Sequence, residues 1–130
     1  MKVVGFTLSI LTVIVLAVLG AGLTAAQETS DLVGSRWELA GYGEPDALTP
    51  VVGDRPVTLE FIDGERLGGN GGCNGYGSSY TLNGDALSVE AVISTMMACM
   101  TDGLMEQEQA YFAALQGATR YEIVDGMLVI

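Results

Sequence analysis

Histidine is absent from this 130-residue chain. Without an imidazole, no Ser-His-Asp or Cys-His catalytic centre can be assembled, and no His-ligated metal site can form. Lysine occurs once, at Lys2, so nothing in the body of the chain completes a G-K-[ST] phosphate loop. The remaining cations are Arg36, Arg55, Arg66 and Arg120, scattered singly. Nucleic-acid binding needs basic clusters to neutralise phosphates, and there are none. The D-x-[DN]-x-[DN]-G calcium loop is missing. Only two cysteines are present, Cys73 and Cys99, and neither lies near the N-terminus, which excludes a lipid-modified cysteine there. Two thiolates without histidine also leave zinc short of its four ligands. A two-carboxylate glycosidase stays formally open because acids are plentiful, but no spacing nominates a pair.

What is present begins with an uncharged run. Lys2 is the sole charge before Glu28, and Val3 to Ala26 carries none. A positive start, an apolar stretch and small residues before a polar region form the layout of a secretory signal, with Thr24 and Ala26 at the −3 and −1 positions. Spanning a bilayer takes roughly 20 apolar residues, so an uncleaved membrane anchor over residues 3–26 is the alternative; Gly20, Gly22 and Thr24 weaken its end and favour cleavage. Both readings export the rest, to a periplasmic or extracellular location. The expected organisation is residues 1–26 for targeting, 27–34 as a polar tether and 35–130 as one domain.

The exported part is strongly acidic. All 16 acids follow Lys2, and four arginines oppose them, leaving a formal charge of 4 − 16 = −12. Such a surface repels phosphates and anionic headgroups and favours solubility. An even cysteine count in an oxidising compartment points to a Cys73–Cys99 disulfide, with two buried free thiols as the alternative. The closed loop would contribute about 3.5 kcal/mol by chain entropy.

Ser35 to Ala40 alternates Trp37 and Leu39 against Arg36 and Glu38, the pattern of a half-buried strand. Residues 41–56 show no period and read as a loop. Val57 to Ile62 alternates again, with Thr58 and Glu60 outward, and Asp63-Gly64 predicts a two-residue hairpin turn with positive φ at both positions. The glycine cluster from Gly68 to Gly77 is too flexible for a continuous strand and reads as a strand end running into a tight loop. Ser79–Leu82 and Ala86–Val89 flank Asn83-Gly84 as a second hairpin. Ala91 to Met97 reads as a short buried strand. After Cys99 comes the single convincing helix, with Thr101 or Asp102 as cap, Leu104, Met105, Tyr111, Phe112 and Leu115 as its apolar stripe, and Gly117 as its stop. Tyr121 to Ile130 folds about Asp125-Gly126 as a third hairpin. The fold class expected is α+β: a small antiparallel sheet of several hairpins with one amphipathic helix packed on it.

These residues resemble the META domain, the family of HslJ-like, heat-shock-inducible envelope proteins. Trp37 with Leu39, Phe61 before a turn, Gly72-Cys73-Asn74 with Tyr76, Ser79-Tyr80, and Thr95-Met96-Met97-Ala98-Cys99 carry the resemblance. Met105 with Glu108, Phe112, Leu115 and a closing Tyr121 to Leu128 extend it over Asp31 to Ile130. Many members place proline after the second cysteine, where this chain has Met100. The resemblance implies a small exported or lipid-anchored α+β domain with links to envelope stress, motility or secretion, and no established catalytic mechanism.

Particular side chains carry local expectations. Asn74, among glycines, has a short amide that can tolerate the left-handed conformation and bond nearby backbone, a structural role, with a ligand-contacting amide as the alternative. Glu108 lies beside the helix stripe; it is expected to accept N–H bonds from the glycine-rich loop, with a catalytic acid as the alternative. Trp37 reads as a core anchor whose indole N–H finds one acceptor. Met96, Met97, Met100 and Met105 read first as core filling and second as an apolar binding patch. The function expected is a non-catalytic exported protein acting in the envelope through stress resistance, secretion or partner binding. A small apolar ligand- or lipid-binding module is the alternative, and a hydrolase using Glu108 a third. No cofactor is called for. The partner would be an envelope protein or a small apolar ligand, with membrane contact only through an uncleaved N-terminal segment.

Overall fold

A computed structural model describes residues 32–44 and 46–130. The expected signal or anchor at 1–26 and most of the expected tether lie outside the described residues. In chain order the strands are β1 (Arg36–Glu38), β2 (Gly41–Glu44), β3 (Ala47–Pro50), β4 (Thr58–Phe61), β5 (Arg66–Asn70), β6 (Gly75–Asn83), β7 (Ala86–Val89) and β8 (Ile93–Ser94). Helix α1 (Leu104–Gln116) follows, then β9 (Glu122–Val124) and β10 (Met127–Val129). The main sheet runs β1-β4-β5-β6-β7, with β8 also pairing β6. Every pairing is antiparallel. One helix packs on this curled sheet, so the fold is α+β.

Alternation explains the strands that line the core. Trp37, Leu59, Phe61, Leu67, Tyr80 and Leu87 are buried while Arg36, Glu38, Glu60 and Arg66 are exposed, the period-2 pattern of a sheet with one covered face. Phe61 and Tyr80 meet edge-to-face with ring centroids 5.0 Å apart. Leu32, which the sequence pattern puts in the tether, is fully buried in the same core; the Ser35 N–H donates to its carbonyl at 2.9 Å.

Several local expectations are corrected. Residues 41–56 contain a hairpin: β2 and β3 pair from Gly41↔Pro50 to Glu44↔Ala47. Their sequence shows no period because all four β3 residues are exposed, and alternation marks a strand only where one face is buried. The Asp63-Gly64 turn lacks positive φ at either residue. Asp63 Oδ1 instead accepts the N–H groups of Glu65 (2.9 Å) and Arg66 (2.8 Å), so a side chain shapes the turn. These bonds and the Arg66 guanidinium hold the Asp63 carboxyl below its usual range. In the second hairpin Asn83 pairs with Ala86, which moves the central residues one place on, to Gly84 and Asp85. The third hairpin does turn on Asp125-Gly126, at φ 53° and 77°. Thr58, expected to face outward, is buried, and its Oγ1 accepts the Asn70 N–H at 3.0 Å.

The glycine cluster is also more regular than its composition implies. β5 runs through Gly68 and Gly69, β6 starts at Gly75, and only residues 71–74 form the connecting bend. At Gly69 (φ +155°) a Cβ would lie 2.1 Å from the Thr58 carbonyl oxygen, so glycine here allows two strands to approach.

Candidate functional site

The 71–74 bend is where helix, sheet and the 95–100 loop come together. Gly71 permits the helix to close on the bend: a Cβ there would meet Glu108 Oε2 at 2.7 Å and Phe112 Cζ at 2.8 Å. Gly72, at φ +107°, supplies the left-handed position, and the Asn70 side chain accepts its N–H at 2.7 Å. Asn74 is therefore not the left-handed residue; the sole non-glycine with positive φ among the described residues is Asp125.

Glu108 projects from α1 into this bend and is buried. Its Oε2 accepts the N–H groups of Cys73 (3.0 Å) and Asn74 (2.6 Å), and its Oε1 accepts from Asn74 Nδ2 (2.6 Å). Asn74, also buried, extends the network outward. Its Oδ1 accepts from the Met97 N–H (2.7 Å) and Thr95 Oγ1 (2.8 Å), and its Nδ2 also donates to the Met97 carbonyl (3.2 Å). Every arm of the Asn74 amide is thus engaged. One residue beyond Met97, Ala98 leads to Cys99 and is exposed. Cys73 and Cys99 are joined by a disulfide with Cα atoms 5.9 Å apart. Polar network and covalent bond fasten the same loop to the same bend. Burial of these polar groups is tolerated because each finds partners.

Two further buried features stand beside this junction: Gln107, which the sequence pattern did not single out, and a hydroxyl pair between Tyr76 and Tyr111, both of which it placed without pairing them. Gln107 is buried one residue before Glu108, where it pairs with the backbone of Val52: Oε1 accepts its N–H (2.7 Å) and Nε2 donates to its carbonyl (3.1 Å). The signal for it is the spacing 104, 107, 108, 111, 115, an unbroken helical stripe once its polar members are counted. The hydroxyls of Tyr76 and Tyr111 share a 2.6 Å hydrogen bond under the helix, and Tyr76 also donates to the Thr58 carbonyl at 2.8 Å. Burial pushes the pKa of both phenols well up, and each hydroxyl's neighbour is the other phenol rather than a cation. Trp37 donates its indole N–H to Ser35 Oγ at 2.6 Å.

A family model for the META domain matches residues 30–130. The chain belongs to the META domain family. No curated protein and no solved structure matched it. The family is known for envelope-associated proteins and not for enzymatic activity. In this META domain the Gly72-Cys73-Asn74 and Thr95-to-Cys99 segments, 20 and more residues apart, are the two halves of one junction.

The methionines sit elsewhere than core packing would place them. Met96 is 97 % exposed, Met100 93 % and Met97 50 %, beside Ile93 at 78 %. Met105, on α1, is half-buried. The expectation that Met96 and Met100 fill the core is overturned, as is a buried strand over 91–97; only Ile93–Ser94 is extended. The physical reason is that Asn74 and Glu108 occupy the space beneath the loop, so its apolar side chains turn outward. The helix start differs too: Gly103, at φ 78°, precedes α1, and neither Thr101 nor Asp102 caps it with a side chain. Among the described residues no helix is long and apolar enough to cross a membrane, and no group of three or more His, Cys, Asp or Glu is placed to hold a metal ion. The disulfide is compatible with an exported protein.

Proposed function

We propose that this META domain is an exported protein of the cell envelope that acts by contact rather than catalysis, offering the 93–100 loop to a partner protein. One observation carries the reading: Met96 and Met100 project into solvent from a loop held by the Cys73–Cys99 disulfide and by Asn74, with exposed Ile93 beside them on β8. Apolar side chains on a loop held in place bind with little ordering entropy left to lose. Methionine suits such a surface because its unbranched thioether adapts to irregular partners. The formal charge of the domain argues for a protein partner with basic groups at its rim over an anionic lipid surface. Glu108 supports this reading over hydrolysis, since its carboxylate is buried and bonded to the bend through both oxygens. The sheet's inner face is occupied by packed tyrosines, phenylalanine and leucines, so a small apolar ligand would have to bind outside that core.

The test is a photo-crosslinking residue at position 96 in the chain expressed in intact cells, compared with one at Glu122. A discrete adduct from position 96 that excess unlabelled domain competes away, and that position 122 does not give, is the expected result. Equal adducts from both positions, or none from position 96, would remove the contact reading.

A further inference from the structure

Among the described residues, the side chains that oxidants attack most readily are almost all protected. Cys73 and Cys99 are already paired. Trp37, Tyr76, Tyr80 and Tyr111 are buried. Met105 and Met127 are half-buried, and Met97 is 50 % exposed with its backbone bonded to Asn74. Met96 and Met100 differ from all of these, being more than nine-tenths exposed within four residues of one another. They flank Cys99, and the chain between them is secured from below by the Met97–Asn74 bonds and the disulfide. Neither thioether contributes to the core, so neither is needed to keep the fold.

We propose that Met96 and Met100 form an oxidation site at which hydroperoxides convert thioether to sulfoxide without unfolding the domain, changing the outer patch from apolar to polar. The step balances: the sulfur lone pair attacks the terminal peroxide oxygen, an S–O bond forms as the O–O bond breaks, the proton on that oxygen passes to the departing oxygen, sulfur is oxidised by two electrons, and the rest of the peroxide leaves reduced, as water from hydrogen peroxide or an alcohol from an organic hydroperoxide. Susceptibility follows access to the sulfur, and the product is a polar, chiral side chain that reductases can return to the thioether. Because the loop is fastened through Met97 backbone atoms and Cys99, the modified side chains remain displayed in the same place. The modification stands on exposure and the loop's anchorage; only its consequence for binding rests on the proposed partner contact.

The full exported chain, with its disulfide intact, is treated with hydrogen peroxide, digested and mapped by mass. Met96 and Met100 should gain one oxygen each on the order of tenfold faster than Met105 and Met127, since rate tracks exposure. The melting temperature should stay unchanged, and retention on a phenyl hydrophobic column should fall. A Met96→Gln/Met100→Gln variant should elute early from the start and lose most of its shift on peroxide treatment, leaving only what Met97 contributes. Oxidation of Met105 or Met127 at an equal rate, a melting temperature that falls in step with oxidation, or unchanged column retention would each overturn the proposal. Since none of these readouts uses a partner protein, the proposal and the crosslinking result can fail separately.

Discussion

Glu108 and Asn74 show how one carboxylate and one amide can join three segments of chain. Replacing Glu108 by Gln keeps the shape but turns one acceptor oxygen into an N–H donor. That new donor must face either Asn74 Nδ2 or the Cys73 and Asn74 amides. Asn74 cannot relieve the clash by flipping, because its Oδ1 already serves Met97 and Thr95. A buried donor left without an acceptor costs about 1–3 kcal/mol, so Glu108→Gln should melt lower in a thermal scan; an unchanged melt would mean that the network contributes nothing. The tyrosine pair gives a second prediction, in pH. Both phenols have folded-state pKa values raised above 10.0 by burial. Their contribution to stability is complete below that value, where folded and unfolded chains are both protonated, and is lost as pH rises toward the folded pKa values. Tyr111→Phe removes one of the two groups, so its denaturant midpoint should fall less steeply above pH 10 than the wild type's. Parallel alkaline decline in the two proteins would show that the pair is not responsible.

The disulfide is the main determinant at the scale of elements. It joins the β5–β6 bend to the segment that enters α1, across a sequence separation of 26 residues. Closing a loop of this size contributes about 3.5 kcal/mol by the chain-entropy account. For a domain of this length, each kcal/mol moves the melting temperature by about 4–8 °C. Reduction, or a Cys73→Ala/Cys99→Ala variant, should therefore lower the melt by roughly 15–25 °C, with coincident oxidised and reduced melts as the contrary result. Several elements are legible in the residue order alone. β1 and β4 alternate, Asp125-Gly126 marks its turn, and α1 with its Gly117 stop follows from the stripe. The β2–β3 hairpin and the outward methionine loop are not legible, for one physical reason. Sequence periodicity reports burial of a face, and β3 buries no residue while the loop turns its apolar side chains toward water. The turn at Asp63 is located but mistyped and the one at Asn83-Gly84 is placed one residue early, since carboxylate bonds and one-residue register choices depend on the strands they join.

Across the whole molecule, composition does the excluding. The absence of histidine leaves no residue for triad chemistry or His-ligated metals, and the single lysine with the −12 charge of residues 28–130 weighs against phosphate-backbone binding, all from the residue list alone. Family membership and fold class are also legible, because the two signature segments and the hairpin-and-helix order are linear features. Spatial assembly has to come from the tertiary structure. Glu108, the Cys73-Asn74 pair and Met97 are distant in sequence, and the helix's carboxylate reaches the bend because Gly71 leaves room for the Glu108 and Phe112 side chains. The side on which the methionines face is likewise decided there. An apolar side chain goes inward only if space is left for it, and here a buried polar network already fills that space.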